Sequence, residues 1–359
     1  MTILKSNLDE LQKKAKERTV KTQTIEYDLE TMVKKIKKNV IKLNPDYQRR
    51  HRWNNEFSSR LIESLILNIP IPFIYISQDI DVDEEIDDDV SRYSVIDGQQ
   101  RLTAIYNFFN NGYSLESLDV LSPLNGCYYR DLPPFLVRRL EERSIRCLRI
   151  DSTADQQVKY DIFERLNSGS IKLEQQELRN ATCRGPFKTL IKKLSKHSEF
   201  VKFVDLKPES ARLTKMEDEE LVLRYFSLTY NEGYKSYKGN FKKFLTERMI
   251  YLNTLDKKEL KKLEHNFLSV MELLSDSDIE YPFSKYKNSE DGLIRVSKFN
   301  SAVFDAVSFV AIKFLKSNQN IKHYDIKKLF EDPEFYDACD VSTSHVKKVN
   351  MRISKALEL

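Results

Sequence analysis

Apolar positions in the first half of the chain switch between two periods. Ile25 and Tyr27 alternate with polar neighbours, the two-residue period of a strand. Leu29, Val33, Ile36 and Val40 then recur at roughly helical spacing. The segment "VIKL" returns to strand, and Asn44-Pro45 ends it. "NNEFSSRLIESLILNIP" predicts a second helix, with Phe57, Leu61, Ile62 and Leu65 on one face and Pro70 as its stop. "IPFIYIS" and "RYSVID" are strands. The acidic "QDIDVDEEIDDDV" between them reads as a solvated loop, because it lacks the glycine and terminal glutamate of a calcium loop.

Beyond "DGQQRLTAIYNFF", which starts another helix, the pattern gives a loop and then a helix with proline in its first turn ("DLPPFLVRRLEERS"). An alternating strand follows in "IRCLRID". "TADQQVKYDIFERLN" is a helix capped by Ser152 or Thr153, "SGS" breaks it, and "KLEQQELRNATC" begins the next. From about Asp205 strand signals nearly vanish, and five further segments carry helical periodicity. The pattern therefore predicts an α+β protein. A helical arm (1–23) precedes a domain with a small mixed sheet (24–204), and an all-helical domain (205–359) follows with no flexible joint between them.

Composition narrows this picture. The 359 residues include only 8 glycines and 10 prolines, which favours helices over a turn-rich all-β fold. The 59 basic and 55 acidic groups nearly cancel to +4, so a local basic face is expected rather than a general nucleic-acid coat. No run approaches the ~18 apolar residues of a membrane span. The charged N-terminus does not read as a signal peptide, and a cytoplasmic protein without a membrane partner is expected. Cys127, Cys147, Cys183 and Cys339 form no CxxC pair and are expected to be reduced, buried thiols.

Three polar clusters stand out. "NPDYQRRHRW" crowds Gln48, Arg49, Arg50, His51, Arg52 and the only tryptophan, Trp53, behind a strand. Arginine forks match phosphate oxygens. Arg50, Arg52 and Trp53 are therefore candidate DNA contacts, with Trp53 stacking a base or anchoring the loop. The plain alternative is a basic surface loop with Trp53 plugged into the core. "DGQQR", Asp97 to Arg101, stands where a strand hands over to a helix. Gly98 would let the backbone approach a ligand, and the free N–H groups near Thr103 favour an anion. Arg101 would add charge, Asp97 would hold Mg²⁺ or orient Arg101, and Gln99 or Gln100 would position a water or a ribose hydroxyl. The alternative is a simple Asp-Gly turn. "IFERLNSG" places Glu164, Arg165 and Asn167 at a helix end, where an ordinary glycine-capped turn would serve equally. P-loop, GxGxxG, HExxH, zinc-finger and GxSxG patterns are missing from the sequence.

These three clusters, in this order, resemble the DGQQR-motif family, which includes the N-terminal domain of GmrSD-type restriction enzymes and SspE-type antiphage effectors. That family is a branch of the ParB/sulfiredoxin-like superfamily. The resemblance runs from about Thr24 to Ala181. It implies a ParB/sulfiredoxin-like N-terminal domain with a nucleoside-triphosphate site in a defence setting. Asp97, Gly98, Gln99, Gln100 and Arg101 would do the hydrolytic work, with Gln99 or Gln100 orienting water. Gln48, Arg49, Glu164, Arg165 and Asn167 would form the facing wall, with Arg49 and Arg101 on phosphates and Mg²⁺ on Asp97. The helical half shows no HNH-type pattern, so a stand-alone form is expected, with any DNA cut by a separate partner protein or by the domain itself. The alternative to an NTPase is a nucleotide- or DNA-binding switch that does not turn over. An intrinsic nuclease ranks last, because Asp97 and Glu164 are only two carboxylates.

Overall fold

The computed structural model describes residues 21–43, 53–78, 93–150, 160–162, 164–165, 174–183, 185–207, 210–277, 279–290 and 292–359. The chain divides into two compact units, 1–171 and 172–359.

The first unit is built on a five-stranded mixed sheet. Its elements are β1 (Thr22–Asp28), α1 (Leu29–Lys37), β2 (Ile41–Lys42), α2 (Asn55–Ile66), β3 (Ile74–Gln78), β4 (Tyr93–Asp97), α3 (Gln99–Phe109), α4 (Pro134–Glu141) and β5 (Ser144–Ile150). The strand order is β1-β5-β3-β4-β2. β5 and β3 are parallel, as are β4 and β2, whereas β1–β5 and β3–β4 are antiparallel. These elements match the sequence expectation in order and type, except that α1 ends at Lys37 and leaves Val40 outside it. β1 passes straight into α1 because Asp28 caps the helix, its Oδ1 accepting from the Thr31 amide at 2.6 Å. Asn54 does the same for α2, accepting from the Phe57 amide at 2.9 Å.

One apolar cluster joins these layers: Leu29 and Met32 of α1, Ile62 and Leu65 of α2, Ile74 and Ile76 of β3, Leu102 and Phe108 of α3, and Ile145 and Cys147 of β5. Phe57, expected on the core face of α2, is instead 56% exposed. It sits in the first turn, where the helix has only begun to meet the core, and its ring lies 6.4 Å from that of Trp53. The buried Glu63 of α2 accepts from the Val120 and Leu121 amides at 2.9 and 2.7 Å, and Ser59 accepts from the Glu116 amide at 3.0 Å. Buried polar groups thus hold the long connection after α3 against α2.

The second unit is mainly helical. It contains α5 (Gln175–Thr182), α6 (Pro186–Leu194), α7 (Ser198–Phe203), α8 (Ala211–Thr214), α9 (Glu217–Thr229), α10 (Phe241–Leu252), α11 (Lys257–Ser275), α12 (Ser301–Lys316), α13 (His323–Leu329), α14 (Pro333–Ala338) and α15 (Val346–Glu358). Two features depart from the sequence expectation. Residues 175–203, assigned by sequence to the first domain, share the second unit's core through Phe187, Ile191, Phe200 and Phe203. An antiparallel hairpin, β6 (Lys285–Ser289) and β7 (Gly292–Ser297), interrupts the helices. Most of its side chains are exposed, and the short alternation of Ile294 and Val296 with Arg295 and Ser297 in β7 covers no core, since both apolar residues are about half exposed. The cysteines are free, and Cys147, Cys183 and Cys339 are buried, while Cys127 is only half-buried. Among the described residues no helix is long and apolar enough to cross a membrane.

Candidate functional site

The site is the junction of β4 and α3. Gly98 takes a left-handed backbone conformation (φ 95°, ψ 10°) as the N-cap of α3. Only glycine adopts this cheaply, and a Cβ there would also collide with the end of the Ile74 side chain. Having no side chain, Gly98 cannot cap the helix. The first intrahelical bond of α3 runs from the Leu102 amide to the Gly98 carbonyl at 2.9 Å. The amides of Gln99, Gln100 and Arg101 precede it, and among the described residues no side chain caps them. The positive end of the helix dipole is thus presented bare.

Arg101 faces the protein. Its Nη2 donates to Asp97 Oδ2 at 2.7 Å and to the Phe73 carbonyl at 3.3 Å, and its Nη1 donates to the Pro72 carbonyl. The side chain is 11% exposed. Burial pulls its pKa down, and Asp97 opposes that shift. The guanidinium stays charged. It fastens the approach to β3 to the end of β4 and the start of α3. Most of its donors are therefore engaged within the protein, and the bare amides of α3 become the principal anion-facing group.

The two glutamines behave differently. Gln99 is 8% exposed, and its Nε2 has no hydrogen-bond partner among the described residues; the same holds for the buried Oε1 of Gln100. A buried donor or acceptor left unmade costs about 1–3 kcal/mol, so two at one turn call for a ligand or water. At about 100° per residue, positions 99, 100, 103 and 107 fall on one side of α3, with Arg101 on the other. That polar face continues into a cavity of about 470 Å³, lined by Thr103 and Asn107 of α3, Asn55 and Ser58 of α2, and Trp53, Gly112 and Tyr113. Tyr113 donates to the Ala104 carbonyl at 3.2 Å, and burial pushes its phenol pKa up, so it remains a neutral wall.

A magnesium ion fits Asp97 in a limited way. One carboxylate oxygen holds Arg101, the other has no partner among the described residues, and the side chain is 43% exposed. Among the described residues no three His, Cys, Asp or Glu side chains cluster for a metal. Such a site suits an ion that takes most of its ligands from water and phosphate.

The structure thus brings together Asp97, Gly98, Gln99, Gln100, Arg101 and Thr103, and adds Trp53 along the same helix face. Glu164 is half-buried and Arg165 exposed in a helical segment. Gln48, Arg49, Arg50, Arg52 and Asn167 lie outside the described residues. Asn55, Ser58, Asn107 and Tyr113 were not anticipated. For Asn107 a signal existed, since positions 99, 100, 103 and 107 form a polar stripe at helical spacing.

Among curated proteins none matches the chain significantly. The segment from Leu29 to Cys183 matches the family model for the GmrSD restriction endonuclease, N-terminal domain. It runs from the start of α1 through α5, with the DGQQR turn inside it. Residues 29–183 are accordingly a domain of the GmrSD N-terminal family, whose setting is restriction.

Proposed function

We propose that this domain binds a nucleoside triphosphate at the start of α3 and hydrolyses it in a restriction or antiphage system. One observation carries the reading. Buried Gln99 and half-buried Gln100 each enclose a polar atom with no partner among the described residues, beside three amides that no N-cap side chain satisfies at a glycine turn. The amides bind phosphate oxygens, and Gln99 or Gln100 orients a water on the terminal phosphorus. Water forms the new P–O bond as the bond to the nucleoside diphosphate breaks, and its proton passes to phosphate. Such transfer is mainly positioning and charge stabilisation. Mg²⁺, held by Asp97, would neutralise phosphate charge. Arg101 fixes the turn that carries these groups. DNA would then be cut by a partner nuclease rather than at this site.

The test is phosphate release from purified protein with each NTP and Mg²⁺. Wild type should release phosphate, and Gln99→Leu, Gln100→Leu and Asp97→Ala should lose most of that rate. Equal release from all four proteins would remove hydrolysis at this turn.

A further inference from the structure

The cavity beside α3 has a composition that the phosphate reading does not use. Its lining residues Trp53, Asn55, Ser58, Thr103, Asn107, Gly112 and Tyr113 carry no formal charge. A pocket for phosphate would offer cations, and this one offers amides, hydroxyls and aromatic rings. Asn55, Thr103 and Asn107 make no side-chain hydrogen bond among the described residues, and Thr103 is only 3% exposed. An amide that both donates and accepts matches the edge of a heterocyclic base, and an indole supplies a face for it to stack on. A volume of about 470 Å³ accommodates a base with its ribose.

Position strengthens the argument. Gln99, Gln100, Thr103 and Asn107 share one side of the helix. From the bare amides to Asn107 is eight residues, a rise of about 12 Å. A nucleotide whose phosphates lie at the helix start reaches that far with its base.

From these facts we infer that the cavity is the nucleobase pocket of the nucleoside triphosphate, with Trp53 stacking on the base and Asn55 and Asn107 reading its edge. Ser58 donates to the Asn54 carbonyl at 3.0 Å and Tyr113 to the Ala104 carbonyl at 3.2 Å, so these two shape the pocket while the asparagines select. The inference rests on the nucleotide reading above, yet its test separates the two.

Trp53 is the only tryptophan of the chain, so its emission reports pocket occupancy directly. Wild-type protein is titrated with the four NTPs, with the corresponding nucleosides, with inorganic triphosphate and with single-stranded DNA, all with Mg²⁺. Binding is followed by calorimetry and by indole fluorescence. The expected result is quenching by at least one NTP and, more weakly, by its nucleoside, with triphosphate binding silently. Asn107→Leu should weaken that NTP about tenfold, the size of one lost hydrogen bond, and leave triphosphate affinity unchanged. Quenching by a nucleoside without any phosphate release supports the pocket and removes the hydrolysis. An NTP that binds or turns over with Trp53 emission unchanged overturns the pocket and leaves the hydrolysis standing. Quenching by DNA alone also overturns it. The ligand comparison uses wild-type protein, so it decides the matter even where the variant fails to fold.

Discussion

The two units each bury polar side chains, and the Asp305 network of the second differs from the α3 face of the first in how far those side chains are bonded. In the second unit Asp305 sits between two arginines. Arg224 reaches it through Nε and Nη2 at 2.6 and 2.7 Å, and Arg352 through Nη2 at 2.6 Å. Both Asp305 and Arg352 are fully buried. Nearby, Arg179 of α5 bonds Thr246, Gln176, Glu220 and the Lys242 carbonyl, while Asn180 bonds Glu219 at 2.5 Å. Atoms without a partner among the described residues occur in this unit too, Arg352 Nε inside the network itself and Ser227 Oγ among them, but they fall on residues far apart in the sequence. In the first unit, by contrast, several side chains along one face of α3 make no hydrogen bond among the described residues. The difference teaches a way to tell a scaffold from a site. A saturated network spends its polarity on architecture, and an unsaturated one keeps it for something not yet bound.

The contrast breaks first and hardest at Asp305. Asp305→Ala would strand two buried guanidinium groups, at a cost of about 3–5 kcal/mol. Urea unfolding followed by far-UV circular dichroism, dominated by the helical unit, should show that loss. Trp53 emission, which belongs to the first unit, should keep its midpoint. A change below about 1 kcal/mol would mean the triad is not the keystone its geometry suggests.

Arg101 tests the same idea inside the first unit. It binds Asp97 and two carbonyls, so it is scaffold standing next to a site. Arg101→Ala should destabilise the first unit by about 2–3 kcal/mol, the scale of a charge-assisted bond with its unmet carbonyls. Arg101→Lys should recover little, because a single ammonium cannot reproduce the fork. The Trp53 unfolding midpoint reads both variants. If Arg101→Ala left stability intact yet abolished nucleotide binding, Arg101 would belong to the site.

The glutamines should invert that result. Replacing Gln99 and Gln100 by leucine removes polar atoms that the folded chain leaves unbonded. Stability should stay level or rise by about 1 kcal/mol. Phosphate release should fall by about 10²-fold, as for loss of a preorganised catalytic donor. A marked fall in the melting temperature of the double variant would instead show that both amides are structural.

How much of this was legible in the sequence follows from the same distinction. α1, α2, β3, β4 and β5 announced themselves because a buried face imposes a period, and β1 did so by the alternation of Ile25 and Tyr27, although its residues are only half-buried or exposed. The β6–β7 hairpin did not, because so little of it is buried. The DGQQR turn was visible as Gly98 followed by a helix, and its residues do meet. What residue types could not say was direction. Arg101 reads as a phosphate ligand until the carbonyls of Pro72 and Phe73 take its donors, and Trp53 reads as part of a basic loop until it meets α3. Arg179 and Asn180, on the helix that follows the third cluster, prove to be core polarity of the second unit. Long-range pairing of this kind has no periodic signature.

A third aspartate gives the smallest effect and the cleanest control. Asp28, at the joint of β1 and α1, spends its carboxylate on the Thr31 amide. That bond holds its pKa below the usual carboxylate value. A folded pKa below the unfolded one, about 3.9, means the stabilisation is complete above that pH and fades as pH falls through the folded value. At neutral pH Asp28→Ala should cost about 1 kcal/mol, and the gap between variant and wild type should close in acid. Asp28→Asn keeps the cap without the titration, so it should hold most of the stability at neutral pH and show a flatter acid profile than wild type. Urea midpoints of the three proteins between neutral and acid pH measure this. A gap between wild type and Asp28→Ala that stays constant through acid would mean the carboxylate is not the group that caps α1.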